Sequence, residues 1–238
     1  MFGKTLSSDL SVIKRRSEHL MMNRIFLTSV LLGLAAFPIQ AFEKKPDLRI
    51  QKISDRKGES LLNTTLKKGC PVKRKDLRTI SVRYYTETGE QAEGVLVAHH
   101  RVAGDLLYVF DKLFKAKFPI HRIAPASYYD GDDNQLMKRN ITSAFNCRRT
   151  TDGVAFSNHS LGAAIDINPL WNPYVKGKKV LPPEGKQFAK NRSKSKKPGL
   201  IKSDSKVVSL FKDLGWTWGG DWKKLKDYQH FEKKIKIE

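Results

Sequence analysis

The sequence predicts an α+β domain in which a small antiparallel sheet is flanked by helices. Two observations predict this class. Two segments rich in β-branched and aromatic residues are separated by a turn, and two further segments carry apolar residues at helical spacing. Hydrophobic residues make up 39% of the 238-residue chain, which is enough for a core and excludes global disorder. We therefore expect one folded domain.

The N-terminal segment has the pattern of a secretory signal. Residues 25–37 form an apolar run that Arg24 precedes and Ala41 follows. A basic start, an apolar stretch and a small-residue cleavage site are typical of signal peptides. The run is shorter than the roughly 20 residues that span a membrane. We expect residues 1–41 to be an extension plus signal, and the protein to be periplasmic, secreted or bound to the cell wall.

Two details of this N-terminus stay open. Ile39 is large for its position before the cleavage site, so an uncleaved anchor is the alternative. Met21-Met22 precedes the signal and indicates a start there, with an upstream extension before it. After the signal, residues 42–69 are polar and mixed. We expect them to form an irregular arm ahead of a domain at 70–238.

The first half of that domain is predicted to be a hairpin followed by a helix. Residues 77–86 and 94–98 have strand composition, and the turn at 87–91 contains Gly89. A helix is predicted over 102–117, where Pro119 ends it. Its apolar face comprises Val102, Leu106, Phe110, Leu113 and Phe114.

The second half mixes short strands with polar loops. Strands are predicted at 120–124 and 141–147, with a polar loop at 128–135 between them. That loop holds three aspartates but lacks the ligand spacing of a calcium loop. A long Lys-, Pro- and Ser-rich loop is expected at 175–202. A second helix is expected at 204–214, because apolar residues recur at helical spacing and Gly215 follows them.

The chain is strongly basic, with a formal net charge of +21. Such a surface favours polyanions, and anionic cell-envelope polymers are the expected ones for an exported protein. Lysine-dense patches at 176–179 and 190–197 carry no interleaved aromatic residues, so we expect no specific nucleic-acid recognition. We expect a monomer.

The two cysteines, Cys70 and Cys147, can form a disulfide in an oxidising compartment. Closing a loop of that length is worth about 4 kcal/mol in the chain-entropy treatment. Two separate buried thiols are the alternative.

The segment SNHSLGAAIDINP contains the first candidate metal ligands, His159 and Asp166. A turn around residues 160–162 would fold Asp166 back toward His159, with Gly162 and Ala164 permitting close approach of the backbone. His230 follows Asp227 by three residues, a spacing that lets one bind metal and the other touch its water. By spacing alone a plain turn remains open. We expect structural roles for the remaining histidines of the exported chain: His99, His100 and His121.

These two motifs resemble those of a known family. S-x-H-x-x-G-x-A-x-D (157–166) and Asp227-Tyr-Gln-His230 are similar to the signatures of the zinc D-alanyl-D-alanine carboxypeptidases. That family includes L-alanyl-D-glutamate endopeptidases and shares its fold with the hedgehog signalling domain. The short sequence motifs CPV, FPI, TSAFNCR, NPY and GWTWGGDW also resemble those of this family, so the resemblance covers about residues 70–235.

The resemblance implies a role for each matching residue. His159, Asp166 and His230 would bind one zinc ion per chain. Asp227, where many relatives have glutamate, would be the general base and then the acid. Arg148 would stabilise charge on the scissile carbonyl or hold a substrate carboxylate, with Arg149 as its competitor.

Further expectations follow from the same resemblance. Ser157 would orient the site or contact substrate. Trp216, Trp218 and Trp222 either wall the cleft or pack in the core. The implied function is an exported zinc peptidase acting on peptidoglycan stem peptides, as a carboxypeptidase or an endopeptidase. A non-catalytic zinc-containing wall-binding domain on the same fold is the alternative.

Overall fold

The computed structural model describes residues 49–237. The predicted N-terminal extension, signal and cleavage site therefore lie outside the described residues. Within the described range, no helix combines the length and the apolar character that crossing a membrane requires.

Helices and small sheets alternate along the described chain. The helices are α1 (Asp55–Leu62), α2 (His100–Lys115), α3 (Asp133–Lys138), α4 (Lys186–Ala189) and α5 (Lys206–Asp213). The strands are β1 (Ile50–Lys52), β2 (Leu77–Tyr85), β3 (Gln91–His99), β4 (Arg122–Ile123), β5 (Ile141–Thr142), β6 (Ala164–Asp166), β7 (Tyr174–Lys176), β8 (Lys179–Leu181), β9 (Thr217–Trp218), β10 (Lys226–Asp227) and β11 (His230–Glu232). Three antiparallel sheets have the orders β1-β2-β3, β10-β7-β8 and β6-β11-β9, and β4 pairs with β5 in parallel. This mixture agrees with the α+β class.

The predicted hairpin and first helix are confirmed and contribute many residues to the largest buried cluster. β2 and β3 pair along their whole length, from Leu77 opposite His99 to Tyr85 opposite Gln91. The helix begins at His100 because His99 caps it, its Nδ1 accepting a hydrogen bond from the Arg101 backbone N–H at 3.1 Å. The face that α2 buries comprises Val102, Ala103, Leu106, Val109, Phe110 and Leu113.

The predicted second helix is also confirmed, as α5. Phe211 stacks on Phe231 of β11 with ring centroids 4.3 Å apart, and it meets Trp216 edge-on at 5.1 Å. Trp216 and Trp218 are both 3% exposed, so these two tryptophans pack in the core. Gly215 follows the helix in the left-handed region, with φ of 80°.

The irregular arm expected at 42–69 is corrected where the structure describes it. Residues 50–52 add β1 to the edge of the first sheet, opposite residues 78–80. α1 follows, and its Leu61 and Leu62 are buried against Leu77 and Phe145. A polar composition concealed this element, because only its last turn contributes apolar residues to the core.

The long loop expected at 175–202 is also wrong. β7 and β8 form a hairpin around a two-residue turn, Gly177-Lys178. Arg192 anchors the following segment. The residue is 9% exposed, and its guanidinium donates to the carbonyl oxygens of Trp171, Phe188 and Ile201 and to Asn172 Oδ1. Hydrogen bonds from one buried cation thus order a stretch whose composition favours a loop.

The remaining short elements differ in extent from the predictions. The strands expected at 120–124 and 141–147 shrink to the two-residue pair β4–β5. The polar loop expected at 128–135 includes the start of α3, which Asp132 caps by accepting hydrogen bonds from the backbone N–H groups of Asn134 and Gln135.

The structure joins Cys70 and Cys147 by a disulfide across 77 residues of sequence, with Cα atoms 6.0 Å apart. It lies beside the buried cluster that contains Leu62, Val72 and Phe145. Cys147 directly precedes Arg148, so this cross-link ties the segment before β2 to the edge of the candidate site.

Candidate metal centre

Three side chains from three elements converge on one point. His159 lies in a 3-10 turn (Asn158–Leu161), Asp166 ends β6, and His230 begins β11 directly opposite Asp166 in the sheet register. His159 Nε2 lies 3.2 Å from His230 Nδ1 and 3.2 Å from Asp166 Oδ2, while His230 Nδ1 lies 3.0 Å from Asp166 Oδ1. A single ligand atom from each residue lies within 4.8 Å of the others, as a shared metal ion requires.

The turn expected around residues 160–162 is present, and its sequence explains it. Ser157 caps the turn, its Oγ accepting a hydrogen bond from the His159 backbone N–H at 3.3 Å. Gly162 ends the turn in the left-handed region with φ of 66°. A Cβ at this position would lie 2.6 Å from the backbone nitrogen of His99, so only glycine fits both the turn and the approach to β3.

Each histidine has an acceptor that fixes its orientation. His159 Nδ1 donates to the Ala144 carbonyl oxygen at 2.5 Å, since a carbonyl can only accept. His230 Nε2 donates to Glu232 Oε2 at 3.0 Å. The other ring nitrogens, His159 Nε2 and His230 Nδ1, face Asp166 and are the atoms that would bind a metal. An acceptor behind each ligating imidazole is the usual arrangement of metal-binding histidines.

Glu232 is a site residue that sequence reasoning missed. It lies two residues after His230 on β11, and Asn158 Nδ2 donates to its Oε2 at 2.8 Å. The available signal was the period-two alternation of a strand, which places residues 230 and 232 on one face. Asn158 and Glu232 thus connect the 3-10 turn to the strand that bears His230.

The electrostatics of the cluster favour a cation. Burial by itself would raise the pKa of Asp166, but the charges of and hydrogen bonds from His159 and His230 hold this pKa well below its ordinary value. Burial would lower the pKa of His230, but hydrogen bonds to Asp166 and Glu232 raise it to about 10. Carboxylates that stabilise the extra proton of an imidazolium this strongly would also stabilise a metal ion that replaces this proton.

The donor set fits zinc. Two imidazole nitrogens and one carboxylate oxygen, with supporting acceptors behind both rings, constitute a ligand set of catalytic zinc sites.

The other three histidines of the described chain, His99, His100 and His121, lie outside this cluster, as expected. His99 caps α2 and stacks on His100, and His121 pairs with Glu87.

Asp227 lies on β10 and lines the same cleft as His230. Burial, together with the charge of Asp166, raises its pKa to about 6, although the nearby His230 acts in the opposite direction. Among the described residues, its Oδ1 atom has no hydrogen-bond partner. A buried carboxylate with a free oxygen beside the His-Asp-His cluster can accept a proton from a water molecule that a metal there would bind.

Of the two adjacent arginines, Arg148 faces the cleft. Its backbone is fixed by Ser160, whose hydroxyl contacts both the N–H and the carbonyl oxygen of Arg148. Its guanidinium forms an ion pair with Asp133. Arg149 instead donates to the Val154 carbonyl oxygen and lies over the Phe156 ring. Asp133 belongs to the aspartate-rich loop, whose part in positioning Arg148 the sequence did not reveal.

The cleft has an open part and an enclosed part. The open part, about 400 Å³, is lined by Arg148, Ser157, Trp222, Asp227 and His230 among others. The enclosed part, about 40 Å³, lies between α3 and the His-Asp-His cluster and is also lined by Arg148 and Asp227. Trp222 is the one of the three predicted tryptophans that walls this cleft, and its ring centroid is 5.4 Å from that of His230.

Together these features make up a candidate metal-hydrolase site: a buried His-Asp-His cluster with a carboxylate and an arginine in one cleft. Residues 150–233 match the family described as D-alanyl-D-alanine carboxypeptidase, which confirms the resemblance seen in the sequence over this segment. The matched segment contains His159, Asp166, Asp227 and His230.

A second comparison agrees over a short stretch. Twenty-six residues, 11% of this chain, are 62% identical to the peptidoglycan L-alanyl-D-glutamate endopeptidase CwlK of Bacillus subtilis (strain 168). The match spans only 16% of that relative's length. No solved structure matches the chain.

Proposed function

We propose that this protein is an exported zinc metallopeptidase that hydrolyses peptide bonds in peptidoglycan stem peptides. The observation that carries this proposal is the convergence of His159, Asp166 and His230 in the cleft that Asp227 lines, within the family-matched segment. The name of the Bacillus subtilis relative supports the substrate class. We further propose the hedgehog-type fold of that family for residues 70–238, which the α+β arrangement supports.

His159, Asp166 and His230 would hold the metal. A zinc ion bound there would lower the pKa of a coordinated water and polarise the scissile carbonyl. The charge of the site supports this assignment, because the carboxylates of Asp166 and Glu232 already stabilise a cation at the position of His230.

Asp227 is the proposed proton carrier. Its pKa of about 6 leaves it mostly ionised at neutral pH and still able to receive a proton. As the water oxygen adds to the carbonyl carbon, Asp227 accepts a water proton. It returns this proton to the departing nitrogen when the C–N bond breaks.

Arg148 and Ser157 have supporting roles in this proposal. The Arg148 guanidinium lines both parts of the cleft and would stabilise the charge that develops on the carbonyl oxygen. Ser157 would act mainly by positioning His159, because its hydroxyl caps the turn that carries this ligand.

A digestion experiment tests the activity. Zinc-loaded protein is incubated with purified peptidoglycan, and the products are identified by mass spectrometry, which also reveals the bond cleaved. We expect wild type and Asp111→Asn, a substitution on the surface of α2 where Asp111 pairs with Lys115, to release the same fragments, and Asp227→Asn to release none. Cleavage that survives Asp227→Asn would refute the assigned base. Zinc binding and wall binding without any cleavage by wild type would favour a wall-binding domain.

Export and wall attraction complete the proposal. The apolar run at 25–37 supports secretion, and the net charge of +21 supports concentration on anionic envelope polymers. N-terminal sequencing of the mature protein tests export, since a chain that begins at Met1 would contradict it. Sedimentation with purified walls at rising sodium chloride tests the attraction, because a charge-driven interaction weakens with salt.

A further inference from the structure

The three-stranded sheet β10-β7-β8 carries more of the cleft than the proposed base alone. Asp227 of β10 lies opposite Tyr174 of β7, and Lys176 of β7 lies opposite Lys179 of β8. Residues two apart on a strand share a face, and so do residues directly opposite each other. Tyr174, Lys176, Lys179 and Asp227 should therefore share one face of this sheet, and all four line the open part of the cleft.

The two lysines are a costly arrangement for the fold. Like charges directly opposite each other in an antiparallel pair destabilise a sheet. The two-residue turn Gly177-Lys178 keeps them in this register. Neither lysine forms an ion pair within the part of the chain that the structure describes. Both ammonium groups are thus available to an anion that enters the cleft.

Three carboxylates, Asp152, Asp227 and Glu232, also line this cleft. The hydrogen bond from Thr150 lowers the pKa of Asp152, and the charge of Lys176 adds to this effect, but no ion pair joins Asp152 to Lys176 within the described residues. Arg148 is paired with Asp133. Asp152 lines the cleft as well, but its Oδ1 accepts hydrogen bonds from the Thr150 hydroxyl at 2.6 Å and from the Val154 backbone N–H at 3.2 Å. The Asp152 carboxylate is therefore held within its own turn, while the lysines extend from the opposite hairpin.

We propose that Lys176 and Lys179 form a subsite for a substrate carboxylate located one or two residues from the scissile bond. The proposal deepens the peptidase function above and rests on it. Two residues of strand separate Lys176 from Tyr174, the partner of Asp227, which is about 7 Å along the sheet. An extended peptide advances by the same distance over two residues. The enzyme is thus selective for acidic peptides with a free carboxylate near the bond it hydrolyses.

Three synthetic peptides test this subsite. The first is the stem pentapeptide L-Ala-γ-D-Glu-L-Lys-D-Ala-D-Ala with all carboxylates free. The second carries the D-glutamyl α-carboxylate as a carboxamide, and the third carries the C-terminal carboxylate as a carboxamide. We expect zinc-loaded wild type to prefer the free acid over one of the amides by about tenfold in kcat/KM, as two partly exposed ion pairs would give.

The preference should disappear in the double variant Lys176→Gln/Lys179→Gln, through a higher KM for the free acid. The matched control, Lys186→Gln/Lys206→Gln, removes the same charge from exposed positions on α4 and α5 and should keep the preference. Equal cleavage of all three peptides by wild type, or a preference that persists in the cleft variant, would overturn the proposal.

A binding measurement separates this proposal from the function on which it rests. Calorimetry with zinc-loaded Asp227→Asn measures peptide affinity without turnover. If wild type cleaves no peptide, the peptidase proposal fails. Tighter binding of the free acid, abolished by the lysine substitutions, would still establish the subsite, and equal binding of all three peptides would refute it.

Discussion

At the residue scale, the candidate centre depends on which nitrogen of each imidazole faces Asp166. The Ala144 carbonyl oxygen and the Glu232 carboxylate each accept a hydrogen bond from the ring nitrogen on the far side of the imidazole. Only the Glu232 contact can be removed by changing a side chain. Glu232 therefore offers a direct test of how far the surroundings of the ligands determine metal affinity.

We predict that Glu232→Gln weakens zinc binding by about 10- to 100-fold, the usual cost of losing such a partner. The amide can still accept from His230 Nε2, but it lacks the charge that makes the imidazole a better ligand. Competition with a chromophoric zinc chelator measures the affinity. Glu93→Gln, an exposed change on β3, is the control and should leave affinity unchanged. Equal affinities for the two variants would contradict this role.

The pH dependence of activity gives a second prediction at this scale. Burial raises the pKa of Asp227 to about 6, and a bound cation nearby would lower it. A base must be ionised, so kcat/KM should fall as pH decreases, with an apparent pKa at or below about 6. The profile is measured between pH 4 and 8 with zinc kept saturating. An activity that stays constant down to pH 4 would argue against Asp227 as the base.

At the element scale, the turn between residues 157 and 162 joins the His-Asp-His cluster to the first sheet. Gly162 fulfils two requirements, a left-handed backbone and close approach to the His99 nitrogen. Its carbonyl oxygen also accepts a hydrogen bond from the His99 N–H at 2.9 Å. A side chain here would disturb both the ligand turn and the start of α2.

We predict that Gly162→Ala destabilises the protein by at least about 2 kcal/mol, the sum of backbone strain and a steric clash. Gly89→Ala is the matched control, since Gly89 also has a positive φ, of 85°, but nothing lies within 4 Å of an added Cβ. Urea unfolding of both variants measures the difference. Equal losses would mean that the approach to His99 contributes nothing.

The helices and strands also show which elements could be predicted from sequence patterns alone. Long amphipathic segments such as α2 and α5 were predicted because many residues repeat one signal. The turn around Gly162 was predicted because glycine permits the close approach of the backbone that such a turn requires. The β7–β8 hairpin was missed because lysines surround its turn and Arg192 orders the following loop through contacts distant in sequence.

The residues of the candidate site also divide into those that a sequence motif identified and those that only the structure revealed. His159, Asp166 and His230 were identifiable because a family motif fixes their spacing. Glu232, Asn158 and Asp133 were not, because their contribution is a contact with another residue rather than a motif of their own. Such partners become visible only when strand register brings distant segments together.

At the scale of the whole molecule, the disulfide joins two regions that the sheet does not connect. Cys70 precedes β2, and Cys147 lies in the segment whose Ser143 pairs with Asp166 and whose Ala144 accepts from His159. The cross-link thus restrains the strand-like segment that supports two of the metal ligands. Its contribution to stability should exceed that of a local contact, because it closes a 77-residue loop.

We predict that Cys70→Ser/Cys147→Ser lowers the free energy of unfolding by about 4 kcal/mol, from loss of the restraint on the unfolded chain. Urea unfolding of the zinc-loaded protein, with and without the phosphine reductant tris(2-carboxyethyl)phosphine, measures this, since a dithiol reductant would also remove the zinc. The reductant should destabilise wild type to the level of the variant and leave the variant unchanged, since the chain has no other cysteine. A wild type whose stability does not respond to reduction under unfolding conditions, and equals that of the variant, would show that the two thiols are not bridged.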